Sequence, residues 1–124
     1  MNKKYIENLN REERSILLDA KTEAPFSGEY NSFFNSGTYV CKACSVQLFD
    51  SNTKFNSNCG WPSFDQAIEG SVLRKRDLSL GRVRTEILCA NCEGHLGHVF
   101  EGENYTEKNT RYCVNSLSLK FIPK

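Results

Sequence analysis

Two short cysteine turns, Cys41-Lys42-Ala43-Cys44 and Cys89-Ala90-Asn91-Cys92, constrain the fold of this chain more than any other feature. A two-residue spacer lets both sulfurs of a turn face one ion, and two such turns complete a tetrahedral shell of four thiolates. Four soft sulfur donors suit Zn²⁺ or an iron–sulfur centre, not Mg²⁺ or Ca²⁺. The competing reading is a pair of redox dithiols or disulfides. Residues 45–88 separate the turns, a wider gap than in a self-contained finger, which predicts a clamp between two distant hairpins. The segments from Cys41 to Leu48 and from Cys89 to Leu96 also share the pattern C-x-x-C-x-x-x-L, as two copies of one knuckle would. Cys41, Cys44, Cys89 and Cys92 are therefore the expected ligands of one structural Zn²⁺ ion.

The flanks of both knuckles read as strands. Thr38-Tyr39-Val40 leads into the first and Ser45 to Phe49 leads out, forming a hairpin. Before the second, Val83, Thr85 and Ile87 alternate with Arg82, Arg84 and Glu86, a strand with one wet face, and His98-Val99-Phe100 leaves that knuckle. Val72 marks a further short strand. At the other end, Asn10 followed by Glu13 is a capping-box start for a short helix that fades by Ala20; residues 1–8 are polar and expected to fray. Residues 21–36 hold Pro25, Gly28, Asn31 and Asn35 and read as an irregular arm. The last segment, Arg111 to Phe121, reads as a single strand of period two. One face carries Arg111, Cys113, Asn115, Leu117, Leu119 and Phe121; the other carries Tyr112, Val114, Ser116, Ser118 and Lys120. No linker divides the chain, so one mainly antiparallel β domain over residues 1–124 is expected.

Sixteen basic and fifteen acidic side chains leave a net charge of +1, with no basic stripe for a nucleic acid and nothing that favours a membrane surface. The first residues carry lysines without an apolar run behind them, and no apolar stretch reaches the roughly 18 residues of a membrane span. A cytoplasmic monomer is the expectation. If the four paired cysteines hold metal, Cys59 and Cys113 are the available thiols, although either could be an incidental or buried cysteine. Cys59 lies next to the chain's only tryptophan, in Ser57-Asn58-Cys59-Gly60-Trp61-Pro62-Ser63-Phe64. The only histidines, His95 and His98, are surplus to a four-cysteine shell and could be structural. Pairing of 98–100 with the last strand would bring His98 to Cys113 with Arg111 on the same face, and both groups favour thiolate over thiol.

Taken together, Cys59-Gly-Trp-Pro-Ser-Phe64, Arg84-Thr-Glu86, His95-Leu-Gly-His-Val-Phe100, Arg111-Tyr-Cys-Val-Asn-Ser116, the two C-x-x-C turns and Thr22-Glu-Ala-Pro-Phe26 resemble the methionine sulfoxide reductases of the B type over about residues 9–122. The resemblance implies a mainly β fold of rolled, barrel-like antiparallel sheets with a short N-terminal helix and a two-knuckle zinc site. It makes Cys113 the nucleophile, Cys59 the resolving cysteine, and Trp61, His95, His98, Arg111 and Asn115 pocket residues. It further implies methionine-R-sulfoxide in peptides or proteins as substrate, a Cys59–Cys113 disulfide in the cycle, and thioredoxin as reductant. Disulfide geometry tolerates little Cα separation, so the Asn- and Gly-rich Cys59 loop is expected to swing toward Cys113. The chain departs from the family pattern at Lys21 and at Glu101-Gly102-Glu103, where the loop is one residue longer. A zinc-ribbon binding module without catalysis is the alternative; it accounts for four cysteines and leaves Cys59, Cys113 and the histidines unexplained.

Overall fold

The computed structural model describes residues 1–124. Helix α1 spans Lys3–Glu7, one short turn in the segment expected to fray. Helix α2 spans Arg11–Leu17 and starts as predicted: Asn10 Oδ1 accepts from the Glu13 backbone N–H, and Glu13 Oε1 accepts from that of Asn10, both at 2.8 Å. Its inner face buries Ile16 and Leu17. No helix is long and apolar enough to cross a membrane.

Two antiparallel sheets follow, open rather than closed into one barrel. Strands β1 (Gly37–Cys41), β2 (Gln47–Asp50) and β9 (Leu119–Pro123) form the smaller, in the order β2-β1-β9. The larger comprises β3 (Lys54–Phe55), β4 (Ser63–Phe64), β5 (Val72–Asp77), β6 (Arg84–Cys89), β7 (His95–Glu101) and β8 (Thr110–Val114), ordered β3-β4-β8-β7-β6-β5. Aromatic rings fill the space between them. Phe49 of β2 stacks on Phe64 of β4 with centroids 4.4 Å apart, and Tyr39 of β1 meets Phe64 edge-on at 5.1 Å. Tyr39, Leu48, Phe49, Phe64, Ile87, Leu96, Val114 and Leu119 are buried there. The arm of residues 21–36 has no strand or helix of its own. It is pinned by Tyr30, which is buried against Phe33, Tyr39 and Phe121.

The expected single strand from Arg111 to Phe121 is two strands in two different sheets. Strand β8 ends at Val114, a 3₁₀ turn occupies Ser116–Ser118, and β9 then crosses to pair with β1. The cause lies in the small polar side chains, which offer the backbone alternatives to a sheet ladder. Ser118 Oγ donates to the His95 carbonyl at 2.9 Å, and Ser116 Oγ accepts from the Tyr30 N–H at 3.2 Å. Both serines, placed by period two on the face opposite Leu117 and Leu119, are buried, whereas Leu117 is only half-buried. The face shared by Arg111, Cys113 and Asn115 thus ends at Asn115.

The β7–β8 register sets His98 directly opposite Cys113 and Phe100 opposite Arg111, as the sequence anticipates for His98. Gly97 makes this pairing possible, because a Cβ there would collide with the Cys113 carbonyl oxygen. Gly97→Ala should therefore push the two strands apart and cost about 2 kcal/mol or more of unfolding free energy, with a larger loss of activity. Wild-type stability in a urea titration would contradict the close approach.

Candidate active site

The two knuckles are built alike, as their shared pattern predicts. In the first, the Cys41 N–H donates to the Val46 carbonyl at 2.9 Å and Ser45 N–H to the Cys41 carbonyl at 2.8 Å. In the second, Cys89 N–H donates to the Gly94 carbonyl and Glu93 N–H to the Cys89 carbonyl at the same two distances. Ser45 and Glu93 occupy equivalent left-handed positions with φ of 67° and 63°. The four sulfurs lie within 4.8 Å of one another, with Cys41–Cys92 and Cys44–Cys89 at 3.6 Å. A tetrahedral shell with Zn–S bonds of about 2.3 Å needs sulfurs about 3.8 Å apart, so the donor set fits the ion. One knuckle joins β1 to β2 and the other joins β6 to β7, so the cluster ties the two sheets together, the clamp expected from the spacing.

Away from the cluster, a cavity of about 190 Å³ is lined by Cys59, Trp61, His98, Phe100, Arg111 and Cys113, among others. Cys59 and Cys113 share this cavity and lie close enough for each thiol to shift the other's titration. Two left-handed residues flanking Cys59, Asn58 (φ 60°) and Gly60 (φ 103°), fold the loop tightly. The Gly60 carbonyl then accepts from the Phe26 N–H at 2.7 Å, which anchors it to the arm. A Cβ on Gly60 would press on Pro25 at 2.7 Å.

The paired thiols share a proton unequally. Cys59 is lowered to about 4, first by the hydrogen bond from the Cys113 thiol, against burial and aided by the Ser57 and Ser63 hydroxyls and the Trp61 backbone. Cys113 is pushed up by the same hydrogen bond, by burial and by the charge on Cys59, while Arg111 pulls it down through both charge and a hydrogen bond. Arg111 is the cation between the two sulfurs and the outside. Its guanidinium lies over the Phe100 ring, 4.6 Å from the centroid, and Glu103 grips it from two oxygens at 2.8 and 3.2 Å.

Each histidine is held by a carboxylate that sequence reading does not single out. His98 Nε2 donates to Asp77 Oδ2 at 2.7 Å, and Arg84 Nη2 reaches the same oxygen at 3.3 Å. The His98 bond, with the Ser79 hydroxyl and backbone, holds Asp77 far below the usual carboxylate range, so it stays an anion. His95 Nδ1 donates to Glu86 Oε2 at 2.6 Å; burial pushes its pKa down, outweighing Glu86. The ring of His95 is 3% exposed and stands behind His98, centroids 5.7 Å apart, outside the cavity lining. Arg84 and Glu86 lie on the strand face expected to be wet, which proves to be the pocket face. Strand pairing of β6 with β7 sets Glu86 opposite His98, so alternation plus the hairpin could have found Glu86. No local pattern points to Asp77.

Asn115 and Trp61 turn out to be tied to the arm. Asn115 Oδ1 accepts from the Glu23 N–H at 3.0 Å and its amide donates to the Leu96 carbonyl at 3.0 Å. The Glu23 carbonyl accepts from Trp61 Nε1 at 3.0 Å, while its Oε1 accepts from the Leu117 N–H. Glu23 is a further residue absent from the expected set. Through it, the arm positions the indole at the cavity.

Two neighbouring thiols, the Arg111 guanidinium and two carboxylate-held imidazoles are the equipment of thiol redox chemistry. The comparisons agree. Residues 9–123 match the SelR domain family model. The chain is 54% identical over 112 residues to peptide methionine sulfoxide reductase MsrB of Bradyrhizobium diazoefficiens, covering 89% of this chain and 79% of that one. It is 49% identical over 117 residues to MsrB of Pseudomonas putida, covering 94% and 87%. With peptide methionine sulfoxide reductase B5 of Arabidopsis thaliana the figure is 48% over 116 residues, covering 93% and 82%. The chain belongs to the SelR domain family of MsrB-type peptide methionine sulfoxide reductases.

A thiolate at Cys59 has a direct chemical readout. At about pH 6, far below the ordinary thiol range, iodoacetamide should label Cys59 in preference to Cys113, at a rate flat up to about pH 8. Cys113→Ala removes the strongest hydrogen bond to Cys59 and should move its labelling profile toward that of an ordinary thiol. Peptide mapping showing equal labelling, or an unshifted profile in the variant, would contradict the shared-proton arrangement.

Proposed function

We propose that this chain reduces methionine-R-sulfoxide, in polypeptides or free, to methionine, with Cys113 as nucleophile and Cys59 as resolving thiol. The observation that carries the reading is that these two thiols line one cavity, which also presents Trp61, His98 and Arg111. The relatives' printed name, peptide methionine sulfoxide reductase, supports the substrate class.

A sulfoxide sulfur becomes electrophilic when its oxygen takes a proton. Cys113 hands its proton to Cys59 along their hydrogen bond, and Arg111 stabilises the charge that arrives on Cys113. The Trp61 face holds the S-methyl group by apolar contact. His98, fixed through Nε2 by Asp77, lines the cavity and donates to the sulfoxide oxygen. His95 backs the ring from behind, and Asn115 keeps the arm, and with it the indole, in place. Attack moves the oxygen to Cys113 as a sulfenic acid and releases the thioether, methionine. Cys59 then attacks the sulfenic sulfur, and the proton it took from Cys113 leaves with the hydroxide as water, forming a Cys59–Cys113 disulfide. A dithiol protein, thioredoxin, returns both sulfurs to the reduced state.

Zinc is the ion that Cys41, Cys44, Cys89 and Cys92 would hold, in a structural part only: it would offset two of the four thiolate charges and join the sheets. Six unpaired thiols suit a reducing compartment, the cytoplasm, and nothing in the site requires a second copy of the chain.

Cys113→Ser should lower methionine-R-sulfoxide reduction on the order of a thousandfold or more. Cys59→Ser should give one turnover per molecule and then stall with thioredoxin. Either variant cycling normally would remove that residue from its role. Serine in place of any one of Cys41, Cys44, Cys89 or Cys92 should release zinc and lower the melting midpoint on the order of 10 °C or more. Metal analysis and calorimetry on the same samples check this, and full stability without metal would refute it.

A further inference from the structure

We propose that Arg82 is a specificity-determining residue that receives a carboxylate lying beside the sulfoxide at the cavity mouth; this rests on the reductase reading above. Three arginines line the cavity, Arg82, Arg84 and Arg111, and no Asp or Glu does. Two of the three are already neutralised. Asp77 takes Arg84 at 3.3 Å, and Glu103 takes Arg111 at 2.8 Å. Arg82 alone has no ion-pair partner and stands exposed, leaving the mouth with one uncompensated positive charge.

The surroundings of Arg82 make it a receptor for something larger than a small anion. Leu78, Leu80 and Val83 are 64%, 78% and 64% exposed around it, an apolar rim with no charge of its own. The turn that carries them is fastened to the site. Asp77 Oδ1 accepts from the Ser79 N–H at 2.9 Å, and Arg84 Nη2 approaches Ser79 Oγ at 3.4 Å. Asp77 therefore anchors both His98, next to the thiols, and the turn that leads to Arg82. A guanidinium so placed is set beside whatever is attached to the sulfoxide side chain, and its natural partner is a carboxylate. Two sources fit that chemistry: an Asp or Glu side chain neighbouring the oxidised methionine, or the α-carboxylate of the amino acid itself.

Initial-rate kinetics on the full-length reduced protein separate the sources. In one arm, end-blocked peptides carry Glu or its isostere Gln next to methionine-R-sulfoxide. In the other, N-acetyl-methionine-R-sulfoxide is compared with its amide. The expected result is about a fivefold preference in kcat/KM for the carboxylate in at least one arm, carried by KM and shrinking with added salt. Arg82→Ala should bring that ratio to about one, Arg82→Lys should keep part of it, and Arg82→Glu should invert it. A preference in the first arm only assigns the acidic neighbour; in the second only, the α-carboxylate. A wild-type ratio of one in both arms, or a ratio unmoved by Arg82→Ala and Arg82→Glu, overturns the proposal while leaving the reductase reading intact. No turnover of any of the four substrates overturns both.

Discussion

Four sulfur atoms gathered within 4.8 Å mark the place where two hairpins that the hydrogen-bond ladders leave separate come together. The β1–β2 hairpin belongs to one sheet and the β6–β7 hairpin to the other, and their ladders never meet. Each hairpin turns on a knuckle with the same hydrogen bonds and the same left-handed residue, so each offers two sulfurs in one geometry. The aromatic contacts between Phe49, Tyr39 and Phe64 fill the gap but are not directional enough to set the sheets' relative position on their own. The cluster adds a fixed point at the end from which β7 departs, and β7 carries His95 and His98.

From that point the site is assembled by register. Gly97 admits the Cys113 backbone, and the pairing places His98 beside Cys113 and Phe100 beside Arg111. The arm then closes the other side through Glu23, which alone connects Asn115, Leu117 and Trp61. Charges are matched locally: Asp77 with His98 and Arg84, Glu86 with His95, Glu103 with Arg111.

The parts legible in the sequence were those written in local spacing. The C-x-x-C turns, their common pattern, the capping box at Asn10 and the alternation before Cys89 each reflect contacts a few residues long. The break after Val114 was hidden because its causes are distant: Ser116 is held by Tyr30, 86 residues away, and Leu117 by Glu23, 94 residues away. Period two placed Ser116 and Ser118 on the face opposite Leu117 and Leu119, and says nothing of the backbone groups their hydroxyls bond. Asp77 was hidden for the same reason, since its contact with His98 spans 21 residues and a strand pair. Asn58 and Gly60 give the Cys59 loop a tight turn anchored to the arm, which composition alone does not distinguish from a loose one.

The placing of Cys59 and Cys113 in one cavity bears on how long such a protein survives its own chemistry. A sulfenic acid that waits in solvent can be carried by peroxide to the sulfinic state, from which ordinary thiols do not retrieve it. In the proposed cycle the capturing thiol already lines the same cavity, so capture has a short path on which to outrun peroxide. The fold thereby guards the sulfur it spends.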